Sequence, residues 1–226
     1  MTMIKFENVS KKFPTGIFAL SDVSFEVARG EFVFLVGPTG SGKTTIFRLI
    51  TREILPTVGI ITVNNINISK LPRKGVSNLR KKIGVVFQDL KLLMDRTIFE
   101  NIVLPLEVSG IKSLDAKKRV DEVMQKVGIS EQKDKFPVQL SGGELQRTAI
   151  ARAVVLEPSI LLADEPTGDL DSVTASGIVS LLSEINQKGT TVIMATHSQD
   201  IVNALAKRTI VLDKGHLVED KRQEKK

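Results

Sequence analysis

The residues 37–45, Gly-Pro-Thr-Gly-Ser-Gly-Lys-Thr-Thr, fit the pattern G-x-x-x-x-G-K-[ST]. A backbone can hold a polyphosphate where successive N–H groups converge and no side chain blocks the approach. Gly37, Gly40 and Gly42 leave that space, and Pro38, Thr39, Ser41 and Thr45 complete the loop. Lys43 supplies a point charge to the outer phosphates, and the Thr44 hydroxyl can ligate Mg²⁺. Farther along, Leu161-Leu162-Ala163-Asp164-Glu165 is an apolar run ending in two carboxylates. Asp164 is placed to hold the Mg²⁺ shell through water, and Glu165 to polarise an attacking water. A plain Gly-rich turn leaves Lys43-Thr44 unexplained, and a solvated acidic turn ignores the loop upstream. The chemistry is nucleoside triphosphate binding and hydrolysis.

Those residues need elements to hold them. The apolar run 32–36 predicts a buried strand feeding the loop, and a helix follows over 43–53. Residues 4–9 and 19–27 alternate as half-exposed strands do. Residues 60–68 read as a strand pair about Asn64-Asn65, and 83–87 as a buried strand ending at Gln88. Residues 89–157 turn helical, with Val120, Val123, Met124 and Val127 recurring at spacings of three and four. Two β-rich runs, 160–163 and 191–195, enclose a helix over 173–187. A hairpin about Lys214-Gly215 closes the chain. The expectation is an α/β core with a helical insertion: core over 1–88 and 158–226, helical part over 89–157.

With 226 residues, 42% hydrophobic and 26% charged, the chain has the composition of one globular unit. No apolar run approaches the roughly 18 residues needed to cross a bilayer. The N-terminus shows neither a basic start nor an apolar stretch, so no signal peptide is expected. The absence of cysteine excludes disulfides and thiolate metal sites. Net charge is +6, which suits an anionic membrane surface or nucleic acid equally. With no Trp or Tyr and ten Phe, a base-stacking surface is poorly supplied. The tail 219–226 mixes both signs and reads as a frayed, solvated end, not a nucleic-acid arm.

One further segment is more specific: Leu140-Ser141-Gly142-Gly143-Glu144-Leu145-Gln146-Arg147. Here the chain resembles the nucleotide-binding domains of ATP-binding cassette (ABC) proteins. The resemblance spans nearly the whole chain, in the family's order. The phosphate loop comes first, then a glutamine loop at Gln88, the signature segment, and Asp164-Glu165. A D-loop at Thr167-Gly168-Asp169-Leu170-Asp171 and a switch histidine at His197 follow. The resemblance implies a P-loop NTPase fold: a RecA-like core, an antiparallel β subdomain and an inserted α-helical subdomain.

It also implies roles. Ser141, Gly142 and Gly143 open a helix toward an anion, which in this family is the γ-phosphate held by the opposing subunit. Gln88 resembles the residue that completes the Mg²⁺ and water contacts and senses the membrane partner. His197 resembles the group that binds the γ-phosphate, and Asp171 the residue that crosses to the other subunit's phosphate loop. Phe13, where the family usually has Tyr, is the candidate for stacking on adenine, with Phe18 as fallback. ATP and Mg²⁺ are the cofactors implied, and a homodimer with ATP at its interface is the implied assembly.

The stretch 85–97 resembles the cell-division branch of the family. That branch works with an FtsX-like four-span transmembrane protein and controls peptidoglycan hydrolases from the cytoplasmic face of the inner membrane. Leu92, Leu93, Met94 and Ile98 are candidates for the groove that meets the partner. Two alternatives stay open: the ATPase of a lipoprotein-release or macrolide-type exporter, and a soluble cassette acting on nucleic acid or ribosomes. Two departures stand out. Asp169 replaces a usual Asn, and Leu145 a common Gln. Neither removes a catalytic group.

Overall fold

The computed structural model describes residues 1–222. The first half contains β1 (Thr2–Lys12), β2 (Phe18–Ala28), β3 (Phe32–Val36), α1 (Lys43–Ile50), β4 (Val58–Val63), β5 (Ile66–Asn67), α2 (Arg73–Arg80), β6 (Ile83–Val86) and α3 (Ile98–Val108). The second half contains α4 (Ser113–Val127), α5 (Gly142–Val154), β7 (Ile160–Asp164), α6 (Ser172–Gln187), β8 (Thr191–Thr196), α7 (Gln199–Leu205), β9 (Arg208–Asp213) and β10 (His216–Lys221). An antiparallel sheet runs β2-β1-β4-β5, and a six-stranded sheet runs β10-β9-β3-β8-β7-β6. In the larger sheet all neighbours are parallel except the β9–β10 hairpin.

The central strands carry apolar side chains on both faces because helices and a second sheet cover them. On β3, Phe32, Phe34 and Val36 point into a core shared with α3 to α6. Val33 and Leu35 point the other way, into a core shared with α1 and the antiparallel sheet. Leu161 and Ala163 of β7, and Val192 and Met194 of β8, join the first core. Ile160 and Leu162, and Ile193 and Ala195, join the second. The period of two along each strand thus divides one continuous apolar run between two cores.

Several expectations shift. The helix after the phosphate loop stops at Ile50, with Thr51 as its C-cap. Two short helices, α2 and α7, add to the expected elements. Each buries a single side chain, Leu79 and Val202 respectively. The C-terminal tail is exposed but not frayed as far as it is described. Residues up to Lys221 pair with β9, and Asp220 holds the buried Arg208 with two bonds of 2.7 Å. Residues 223–226 of that expectation lie outside the described part.

Candidate functional site

The phosphate loop joins the end of β3 to the start of α1. Its N-cap is Gly42, so no side chain caps α1, and the first-turn N–H groups stay available for an anion. Gly42 sits at φ 111°, and a Cβ there would stand 2.8 Å from the Ala19 carbonyl oxygen. The loop can therefore lie flat on β2 only as glycine. Lys43 is buried, and its Nζ donates to the Gly37 and Pro38 carbonyls at 2.7 and 3.2 Å. The ammonium is thus kept inside the curve of the loop. The buried Ser41 hydroxyl finds no partner among the described residues.

Strand order assembles the rest. β3, β8 and β7 lie side by side and parallel, with Val36 opposite Thr196 and Asp164 opposite Ala195. Residues just past the ends of all three strands must therefore meet at one edge of the sheet, where open α/β folds bind ligands. Thr44 Oγ1 donates to Asp164 Oδ2 at 2.9 Å. Burial pushes the Asp164 carboxyl above the ordinary range, against the opposing hydrogen bond from Thr44. Glu165 adopts φ 48° while its N–H still bonds the Ala195 carbonyl. That left-handed turn lets two adjacent carboxylates take different partners: one oxygen of Glu165 lies 2.9 Å from His197 Nδ1 and the other 3.6 Å from Lys43 Nζ.

A cavity of about 310 Å³ is lined by Thr39, Gly40, Gly42, Lys43, Thr44, Thr45, Gln88, Asp164, Glu165 and His197, together with Ala19, Gly168 and Asp169. Residues as far apart as Thr39 and His197 are thereby united. Their oxygen donors, a hydroxyl, a carboxylate and an amide, suit a hard cation such as Mg²⁺. No group of three or more His, Cys, Asp or Glu that could hold a metal occurs among the described residues.

The signature segment does not line this cavity. Ser141 caps α5 in a reciprocal box with Glu144, donating from its hydroxyl at 2.7 Å and its N–H at 2.8 Å. These two bonds hold the Glu144 carboxyl below its usual range. A Cβ on Gly143 would come 2.6 Å from Thr174 Cγ2, so the start of α5 packs closely on the start of α6. Asp171 caps α6, accepting from Val173 N, Thr174 N and Thr174 Oγ1. The Thr174 hydroxyl is the main reason its carboxyl titrates low. Ser141 to Gly143 and Asp171 thus lie on one surface outside that cavity, which the segment 167–171 reaches only through Gly168 and Asp169.

Phe13 is half-buried after β1, with Lys11 Nζ 5.4 Å from its ring centre, and Phe18 is exposed at the start of β2. Neither lines the cavity, which reaches only Ala19 of that region. Of the expected groove residues, Ile98 is fully buried and Leu92 packs on the core, so these two are structural. Leu93 and Met94 are exposed.

Two residues escaped the sequence reading. Asn101, fully buried on α3, bonds Leu93 N and O and the Arg96 and Thr97 carbonyls, which fixes the loop before α3. Arg152, on α5, donates to the carbonyls of Leu90 and Lys91, the latter at 2.6 Å. Both loop residues have left-handed backbone, φ 56° and 50°. Burial lowers the Arg152 guanidinium below its ordinary value, and no carboxylate among the described residues offsets that cost. A lone Asn in an apolar helix was the available signal for the first; nothing local marks the second.

The family model described as ABC transporter matches residues 20–168. The cell division ATP-binding protein FtsE of Bacillus subtilis (strain 168) is 46% identical over 218 residues, covering 96% of each chain. The protein of the same name from Escherichia coli (strain K12) is 45% identical over 215 residues, 95% of this chain and 97% of that one. A solved ATP-binding cassette dimer, in a post-hydrolysis state bound to ADP and phosphate, superposes with a TM-score of 0.90 at 35% identity. It covers 99% of this chain and 100% of its own. The phosphate loop, the paired carboxylates at the sheet edge and these full-length matches agree: the chain belongs to the ATP-binding cassette family and is an ATP-hydrolysing member of it.

Proposed function

We propose that this chain is the ATPase subunit of an FtsEX-like complex in cell division. ATP-driven closure of a homodimer is passed through an FtsX-like transmembrane protein to peptidoglycan hydrolases. The observation that carries this reading is the similarity to FtsE proteins along nearly the whole length of both chains. No helix among the described residues is long and apolar enough to cross a membrane. In this reading the chain is held peripherally, at the cytoplasmic face of the inner membrane, by its partner.

Within the site, Lys43 exchanges the Gly37 and Pro38 carbonyls for the outer phosphates of ATP. Glu165 takes the proton of the attacking water, which Gln88 helps to place, while His197 bonds the γ-phosphate. Thr44, Asp164 and Gln88 would hold Mg²⁺, which would supply positive charge to the phosphates. Ser141, Gly142 and Gly143 of a second copy close the site over the γ-phosphate, and Asp171 crosses the same seam. Phe13 stacks on adenine. Residues 89–157 form a helical subdomain that rotates against a core of 1–88 and 158–226. A cavity of about 570 Å³, lined in part by Phe87, Lys91, Leu104, Pro105 and Arg152, is the surface offered to the membrane partner.

Co-purification from membranes tests the assignment. An FtsX-like four-span protein is expected in the eluate. Recovery of a lipoprotein-release or efflux permease in its place overturns the reading.

A further inference from the structure

The positive charge of the chain is concentrated in one place. Between Glu53 and Asp89 there is no Asp or Glu, but there are six cations: Lys70, Arg73, Lys74, Arg80, Lys81 and Lys82. Without these six, 26 basic residues balance 26 acidic ones, so this stretch carries the entire net charge of +6. All six side chains are exposed. None of them forms an ion pair among the described residues. Arg80 is braced by the Thr51 and Arg52 carbonyls, and Leu79 alone anchors α2 in the core. These contacts fix the position of the charge without neutralising it.

The face has a definite place. Arg80 and Lys81 line the cavity beside the glutamine loop and also an adjoining cavity of about 710 Å³ that reaches Val76 and Val108. The cations therefore border the surface offered to the membrane partner. Lys70, Lys74 and Lys82 line neither cavity. The charge extends beyond any groove, across a helix roughly 12 Å long. A peptide seated in either groove would leave Lys70, Lys74 and Lys82 unused, whereas an extended anionic surface is not confined to a groove. The absence of Trp and Tyr argues against a nucleic acid that stacks its bases.

We propose that the α2 face, from Lys70 to Lys82, is an electrostatic docking surface for the anionic phospholipid headgroups of the membrane on which the complex works. The proposal rests on the membrane-bound reading above. Each Lys or Arg held near an anionic leaflet multiplies partitioning about fivefold. The effect fades within about 10 Å at about 0.1 M salt, so the face must lie against the leaflet to act.

The test uses the isolated full chain and sedimentation with vesicles. Vesicles of equal parts phosphatidylcholine and phosphatidylglycerol are compared with pure phosphatidylcholine, at about 0.1 M salt and above it. The wild type is expected to bind the mixed vesicles alone and to release as salt rises. The variant Lys70→Gln, Arg73→Gln, Lys74→Gln, Lys82→Gln should bind about 600-fold more weakly, about fivefold for each charge removed. A charge-matched control on exposed lysines elsewhere, Lys117→Gln, Lys118→Gln, Lys126→Gln, Lys188→Gln, should bind nearly as well as the wild type. ATP hydrolysis by both variants should be unchanged, which shows that they fold.

Equal binding to neutral vesicles, full binding by the α2 variant, or equal loss in the control would each overturn the proposal. So would an α2 variant that keeps its vesicle binding and loses the membrane protein, because the face would then dock an acidic protein segment. Failure on vesicles alone leaves the co-purification result intact, so the two readings fail separately.

Discussion

Glu165 is the residue whose surroundings are most finely set. Its left-handed backbone turns the carboxylate away from Asp164 and toward His197 and Lys43. A carboxylate beside an imidazole and beside the phosphate-loop lysine has the geometry of a general base. Glu165→Gln keeps the size and the hydrogen-bonding ability but cannot accept a proton. Turnover should fall by about 100-fold or more while ATP affinity holds, and a dimer should persist in ATP on size-exclusion chromatography. Hydrolysis near the wild-type rate would remove Glu165 from the proton transfer.

At the scale of elements, α5 links two parts of the mechanism. Its first residues present Ser141 and Gly143, and near its other end Arg152 grips the Leu90 and Lys91 carbonyls just after Gln88. Two consecutive non-glycine residues in the left-handed region cost roughly 1 kcal/mol each or more. The hydrogen bonds from a charged guanidinium offset that cost. Arg152→Gln should therefore loosen residues 88–94, with faster amide exchange there. Turnover should drop about tenfold at saturating ATP with little change in ATP affinity, because positioning is lost and not binding. Unchanged exchange in that loop would show that the loop holds its shape without Arg152.

For the whole molecule, the decisive fact is that the phosphate loop and the signature segment do not share a cavity. In the proposed homodimer each would meet the other's counterpart, which would make two equivalent sites. Lys43→Ala and Ser141→Arg should each be inactive alone. Mixed in equal amounts they should recover about a quarter of wild-type activity, because random pairing leaves one intact site in half of the dimers. Full activity in the mixture would argue against a shared sandwich.

The closing hairpin matters on the same scale. Arg208 is buried between Asp220 of β10 and Glu31 at the turn before β3, and those two carboxylates hold its guanidinium above the ordinary value, Asp220 first. Arg208→Met should cost about 2 kcal/mol. This is below the figure for a fully enclosed ion pair, because both carboxylates still reach water. A urea midpoint that does not move, at constant slope, would count against that role.

The sequence by itself determined the chemistry. The loop at residues 37–45, the strand ending in Asp164-Glu165 and the segment opening at Ser141 each carry their meaning in residue type and spacing, because backbone cradles and helix N-termini are local objects. It also determined the buried strands, whose apolar runs have no solvent-facing register. Only the tertiary structure decided that β3, β8 and β7 lie in that order, so that Lys43, Glu165 and His197 touch. Hydrogen-bond pairing between strands that lie up to about 160 residues apart leaves no trace in a local pattern. For the same reason α2 went unread. It buries only Leu79, and only that packing turns six scattered cations into a single face. The grip of Arg152 on the glutamine loop lies equally beyond the sequence, since it joins a helix to two carbonyl groups, and carbonyl groups are common to every residue.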